Sequence, residues 1–155
     1  MMNLKTAASR FLEEKRVAIV GVSRHPAETA NAIYRKFKQN GYTVFPVNPA
    51  AAEVEGVKCY ASVKDIPGGV GAVMMVLTPA ASVKVARDCA DAGVKWVWLH
   101  LAFGSSVSED AVKLLREKGI HVIPGGCPMM FLTPDGGHKA MRWLLQLFGR
   151  LPRTV

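Results

Sequence analysis

Five short apolar runs, at residues 17–20, 42–47, 72–77, 95–101 and 120–123, alternate with segments of helical periodicity. Strands that recur with helices between them predict a parallel sheet joined by right-handed crossovers. The run 17–20 is continuously apolar, as in a central strand covered on both faces. At 155 residues the chain is long enough for one domain with a sizeable core and too short for two ordinary ones.

The intervening segments carry their own start and stop signals. Leu4, Ala7, Ala8, Phe11 and Leu12 predict an opening helix within residues 1–15, and Ala30, Ile33, Tyr34 and Phe37 mark a helix over 29–39 that Asn40-Gly41 ends. Thr78-Pro79 reads as a cap followed by a proline at the first helical position, ahead of a helix that Gly93 stops. Ser106 with Glu109 three residues later reads as a capping box for a helix running to Gly119. Residues 50–71 read as a short crossover with one helical turn at 62–66. Met141, Leu144, Leu145 and Phe148 predict a closing helix over 137–149, packed on the first. The resulting class is α/β, a Rossmann-like doubly wound five-stranded parallel sheet forming one domain over residues 1–155. The usual strand order 3-2-1-4-5 puts its crevice at the carboxyl ends of the first and fourth strands.

The candidate site begins at the first turn, Gly21-Val22-Ser23-Arg24-His25-Pro26. A strand, a tight turn and a helix start present unpaired N–H groups and the positive end of the helix dipole to an anion. Where Gly-x-Gly-x-x-Gly would place three glycines, this turn has Gly21, Ser23 and Pro26. Ser23 adds a Cβ where a bare backbone normally lets a dinucleotide approach. Pro26 suits the first position of the next helix, and Arg24 adds a fixed positive charge. A βα turn that holds no ligand is the alternative.

The second strand ends in Pro46-Val47-Asn48-Pro49. A dinucleotide dehydrogenase carries an acidic residue at this tip, whereas Asn48 does not repel a phosphorylated ribose; a simple turn asparagine explains it equally well. Thr78 and Pro79 open a second helix at the same edge, His100 follows the fourth strand, and Cys127 follows the fifth. Their convergence there is the main argument for a ligand site.

Lys and Arg exceed Asp and Glu by eight, which favours an anionic partner. The basic residues are spread without a dense run or aromatic interleaving, so no nucleic-acid partner is expected. No run is long and apolar enough to span a bilayer, and no membrane partner is expected. Three cysteines without Cys-x-x-Cys spacing point to a reducing compartment, and residues 1–15 lack an apolar signal core; the expected location is cytoplasmic. His25, His100, His121 and His138 have no ligand spacing, so no metal site is expected.

Gly21-Val22-Ser23-Arg24, Pro46-Val47-Asn48-Pro49, Leu77-Thr78-Pro79, Gly93 before Trp96-Val97-Trp98, and Cys127-Pro128-Met129 stand in the order of the CoA-binding domain family. The chain resembles that family, and through it the N-terminal nucleotide-binding part of the succinyl-CoA synthetase α subunit, over roughly residues 16–130. The resemblance implies that Gly21, Val22, Ser23 and Arg24 wrap the phosphates of coenzyme A. It places Val47, Asn48 and Pro49 against the adenosine, and Thr78 and Pro79 along the adenine and pantetheine path. Ala27-Glu28-Thr29 stands where many relatives carry a lysine.

Three functions follow as expectations. The first is a stand-alone module that binds CoA or an acyl-CoA, with no catalytic constellation. The second is an NAD(P)-binding oxidoreductase, against which the missing glycines, the missing acidic residue and the lack of a hydride-transfer constellation count. The third is a CoA-linked redox switch through Cys127, weighed against a buried inert thiol. The apolar first and last helices suggest a possible homodimer.

Overall fold

The computed structural model describes residues 2–101 and 107–132. The opening helix α1 (Leu4–Glu13) leads into strand β1 (Arg16–Val20), and helix α2 (Thr29–Gln39) returns the chain to β2 (Thr43–Val47). A hairpin of β3 (Glu53–Val54) and β4 (Val57–Lys58) and a 3₁₀ turn at Val63–Asp65 precede β5 (Ala72–Met75). Helix α3 (Pro79–Asp91), strand β6 (Trp96–Leu99), helix α4 (Glu109–Glu117) and strand β7 (His121–Pro124) complete the alternation, and a 3₁₀ turn follows at Pro128–Met130. The expected helix over 137–149 and Ser106 lie outside the described residues.

The main sheet is parallel and five-stranded, in the order β2-β1-β5-β6-β7. Numbering only its own strands, this is 2-1-3-4-5, so the expected order 3-2-1-4-5 is corrected. The chain passes from β2 back across β1 to β5, and the crevice therefore opens between the first and third strands of the sheet. The crossover is the expected short one, with a hairpin that the sequence reading did not anticipate. Tyr60 extends the edge of β2 beyond it, donating its N–H to Pro46 O at 3.0 Å and accepting from Asn48 N–H at 2.9 Å.

Both faces are covered, as continuously apolar strands require. Helices α1 and α2 pack Phe11, Ile33 and Phe37 against Val17, Ile19, Met74 and Trp98, while α3 and α4 pack Ala86, Cys89 and Leu115 against Ala18, Val73 and Val97. The period-2 rule puts Trp96 and Trp98 on one face of β6 and Val97 and Leu99 on the other. Phe11 meets the Trp98 ring edge-on at 5.3 Å, and the buried indole Nε1–H donates to Gly125 O at 2.7 Å. The apolar stripe of α1 is thus turned into the core, with Lys5, Arg10 and Glu13 outward.

α2 spans the expected residues, but the expected place of Pro26 at its first position and the expected cap of α4 are both corrected. α2 begins at Thr29 with Glu28 at the N-cap, and Pro26 lies in the turn ahead of it, where the Glu28 N–H reaches back to His25 O at 3.2 Å. α4 is capped by Ser108, whose Oγ accepts from Ala111 N–H at 3.2 Å, two residues after the Ser106 box. Ser108 carries the same capping chemistry and sits directly before two acidic residues, Glu109 and Asp110, that suit the first turn.

Candidate functional site

The first turn is built by close backbone approach. Gly21 leaves β1 at φ +109°, and a Cβ there would lie 2.4 Å from Val76 O, at the end of β5. Only glycine fits both the dihedral and the gap. Its N–H donates to Val47 O at 3.0 Å, while Val76 N–H donates to Val20 O at 2.9 Å. The turn therefore stands at the switch point, between β2 on one side and β5 on the other.

Ser23 is held by a side chain from α2. Asn31, 1% exposed, accepts from Ser23 N–H at 3.0 Å and donates to Ser23 O at 2.8 Å. The second hydrogen of that amide goes to Glu55 Oε1 at 2.7 Å, and Arg35 donates to the same oxygen at 2.7 Å and to Pro26 O at 2.9 Å. Ser23 Oγ accepts from His25 N–H at 3.0 Å, closing the turn. Asn31, Arg35 and Glu55 were not among the sequence-predicted site residues. A polar residue inside the buried face of α2 was the available signal, because a buried amide has to be satisfied by something.

α2 differs from the other described α-helices at its start. Asn3, Thr78 and Ser108 each cap their helix with a side-chain oxygen, whereas Glu28 makes no such bond. No N-cap side chain bonds the first N–H groups of α2, and Arg24, which is exposed, lies a few residues upstream.

The other sequence-predicted residues fall along the same edge. Val22 is buried, and its carbonyl accepts from Asn48 Nδ2 at 3.0 Å. Asn48 Oδ1 accepts from Ala50 N–H at 2.9 Å, so this amide ties the tip of β2 to the first turn and turns the chain at Pro49. Thr78 caps α3 through Ala81 N–H at 3.4 Å, Pro79 takes its first position, and both are exposed. His100 donates its N–H to Met75 O at 2.9 Å, one strand beyond the switch point and not beside it as the expected order implied. Burial holds its imidazole below the usual histidine range. Beyond it a groove of about 620 Å³ lies by α4 and the ends of β6 and β7, lined by Leu101, Val107, Val112 and Pro124.

Cys127 is 4% exposed among the core residues of the α1 and α2 face. Burial pushes its thiol up to about 11 despite a backbone hydrogen bond at Met129. Little thiolate forms at neutral pH, which favours the inert thiol over the redox switch. The sequence does hold two Tyr-x-x-x-Lys spacings, Tyr34 to Lys38 and Tyr60 to Lys64. Tyr34 is in the core beneath Lys38, and Lys64 pairs with Asp88 at 3.3 Å, so neither forms a hydride-transfer pair at the turn. Among the described residues no group of His, Cys, Asp and Glu could hold a metal ion, and no helix is long and apolar enough to cross a membrane.

A doubly wound parallel sheet with a tight glycine turn at its switch point defines the class as a Rossmann-like α/β domain. Residues 15–133 match the family model described as CoA binding domain, and the chain belongs to that family. It is 30% identical over 125 residues to the acetate–CoA ligase (ADP-forming) II subunit alpha of Pyrococcus furiosus, an alignment covering 76% of this chain and 27% of the subunit. The chain therefore spans about a quarter of that subunit's length. It is 32% identical over 113 residues to the uncharacterized protein YneT of Bacillus subtilis, covering 73% of this chain and 82% of that one. The structure superposes on a hypothetical protein from Pyrococcus horikoshii OT3 with a TM-score of 0.74 at 27% identity, covering 92% of this chain and 97% of the other.

Proposed function

We propose that the protein binds coenzyme A, free or acylated, along the carboxyl edge of its sheet. The phosphates lie against Gly21, Val22, Ser23 and Arg24, and the adenosine against Val47, Asn48 and Pro49. The pantetheine arm passes Thr78 and Pro79 toward His100. Neighbouring strands are about 4.8 Å apart, so an arm running from β1 to β6 crosses two spacings, roughly 10 Å. Cys127 lines the same edge from beneath, as a packed thiol.

The observation that carries this reading is the start of α2. The helix that follows the switch-point turn lacks the side-chain cap found on the other described α-helices, and an exposed arginine precedes it. Orphan N–H groups and a guanidinium suit a phosphate. Membership of the CoA binding domain family supports coenzyme A as its bearer. Asn48 in place of an acidic residue also leaves the β2 tip compatible with a phosphorylated ribose. The function is binding, with no catalytic group assigned.

Calorimetric titration with CoA and, separately, with NADP tests the proposal. Saturable heat with CoA and little with NADP is the expected result. Binding of NADP but not CoA would overturn it in favour of a dinucleotide site.

A further inference from the structure

We infer that Glu55, at the tip of the β3–β4 hairpin, is a positioning residue that holds the ligand-binding turn in its binding shape. This inference rests on the proposed CoA site. The hairpin pairs Val54 with Val57, leaving a two-residue loop of Glu55 and Gly56. Both have positive φ, +51° and +73°, as a type I′ turn demands. Glycine, asparagine and aspartate enter that region readily, whereas a glutamate there is strained. Among the described residues Glu55 is the sole non-glycine with positive φ.

What that strained position achieves is a reach to the turn. The Glu55 carboxylate accepts from Asn31 Nδ2 and from Arg35, each at 2.7 Å. Asn31 holds the N–H and carbonyl of Ser23, and Arg35 holds the carbonyl of Pro26. One oxygen of Glu55 thus steadies the two side chains that grip both ends of the segment from Ser23 to Pro26. It also orients the Asn31 amide, since the nitrogen has to face the carboxylate and the oxygen the Ser23 N–H. The same contact pairs the Arg35 charge and leaves Arg24 as the exposed cation of the turn. Strain retained beside a site, where a better turn residue was available, points to a role in that site and not in hairpin stability.

The test uses the full chain and two variants, Glu55→Gly and Glu55→Gln, each followed by thermal melting and by calorimetry with CoA. Glycine relieves the backbone and removes the contact, so the melting temperature is expected to stay within a few degrees while affinity for CoA falls by about tenfold or more. Glutamine keeps an acceptor for Asn31 and is expected to hold affinity within about threefold of the parent. The inference is overturned if the parent binds CoA and Glu55→Gly binds it equally well. It is also overturned if affinity falls only in proportion to melting temperature in both variants, as hairpin glue would require. A parent that gives no heat with CoA overturns the site reading together with this role.

Discussion

Asn31 grips Ser23 by both its backbone atoms, receiving the N–H at 3.0 Å and returning a hydrogen to the carbonyl at 2.8 Å. The grip makes a side chain do what a strand neighbour does for a ladder residue, in a turn that has no neighbour on that side. Removing it leaves two backbone groups short of a partner, each worth roughly 1–3 kcal/mol where water is excluded. Asn31→Ala should therefore lower unfolding free energy by about 2–3 kcal/mol in urea titration. Asn31→Asp keeps an acceptor for the N–H but sets a second carboxylate against Glu55. That variant should therefore also unfold at a lower urea concentration than the parent.

Gly21 and Gly41 provide a matched pair. Both have positive φ, +109° and +82°, but a Cβ at Gly21 meets Val76 O at 2.4 Å while one at Gly41 has nothing within 4 Å. Gly41→Ala should cost about 1 kcal/mol, the left-handed strain alone. Gly21→Ala has to move a strand end as well and should cost about 3 kcal/mol. Equal urea midpoints for the two variants would show that β5 does not press on the first turn.

Much of this architecture was legible because it is written locally. Thr78-Pro79 caps and starts α3, Gly93 stops it, Asn40-Gly41 ends α2, and alternation in β6 sorts its two tryptophans from Val97 and Leu99. Strand order was not legible, since local pattern states that β5 is a buried parallel strand and not on which side of β1 it lands. That choice belongs to the crossover, whose hairpin strands are two residues each and too short to leave a period. The turn itself was visible in Gly21 to Arg24, but its support was not. Asn31 and Glu55 are 24 residues apart, and only the fold brings them to 2.7 Å.

Arg24 is exposed, and it makes no hydrogen bond or ion pair with the described residues, so replacing it should not disturb folding. Each unit charge about 4 Å from a phosphate is worth about 1 kcal/mol at the dielectric of water. Arg24→Glu removes one attraction and adds one repulsion, about 2 kcal/mol together, or roughly thirtyfold in Kd for CoA. The loss should narrow in high salt, because exposed charges are screened. Undiminished affinity at low salt would place the phosphates elsewhere.

Cys59, Cys89 and Cys127 are all buried, and burial raises each thiol; Cys127 is pushed up to about 11. The Cys127 thiol therefore stays protonated at neutral pH, and a disulfide needs the thiolate to attack it. Native protein incubated with CoA disulfide should show no added mass, and adducts should form once urea exposes the thiols. A stoichiometric adduct on the folded protein, removed by Cys127→Ser, would restore the redox reading.

Asp88 makes stability depend on acid. Its carboxyl is 8% exposed as a residue, and burial by itself would raise its pKa. Hydrogen bonds from Lys84, Lys64 and Ser62 and the Lys84 charge outweigh that burial and hold it below the ordinary value of 3.8. A carboxylate whose pKa is depressed by folding stabilises the protein above its unfolded pKa and loses that contribution as pH falls through the folded one. The contacts tie the 3₁₀ turn at Val63–Asp65 to α3, with Ser62 Oγ donating to Asp88 Oδ2 at 3.2 Å and both lysines at 3.3 Å. Because the lysines are largely exposed, the whole cluster should contribute only about 1 kcal/mol. Asp88→Asn should therefore be less stable than the parent by about that amount at pH 7, and the gap should close below about pH 4. A gap that stayed constant from pH 7 down to pH 3 would assign the loss to packing of the amide and not to the ion pairs.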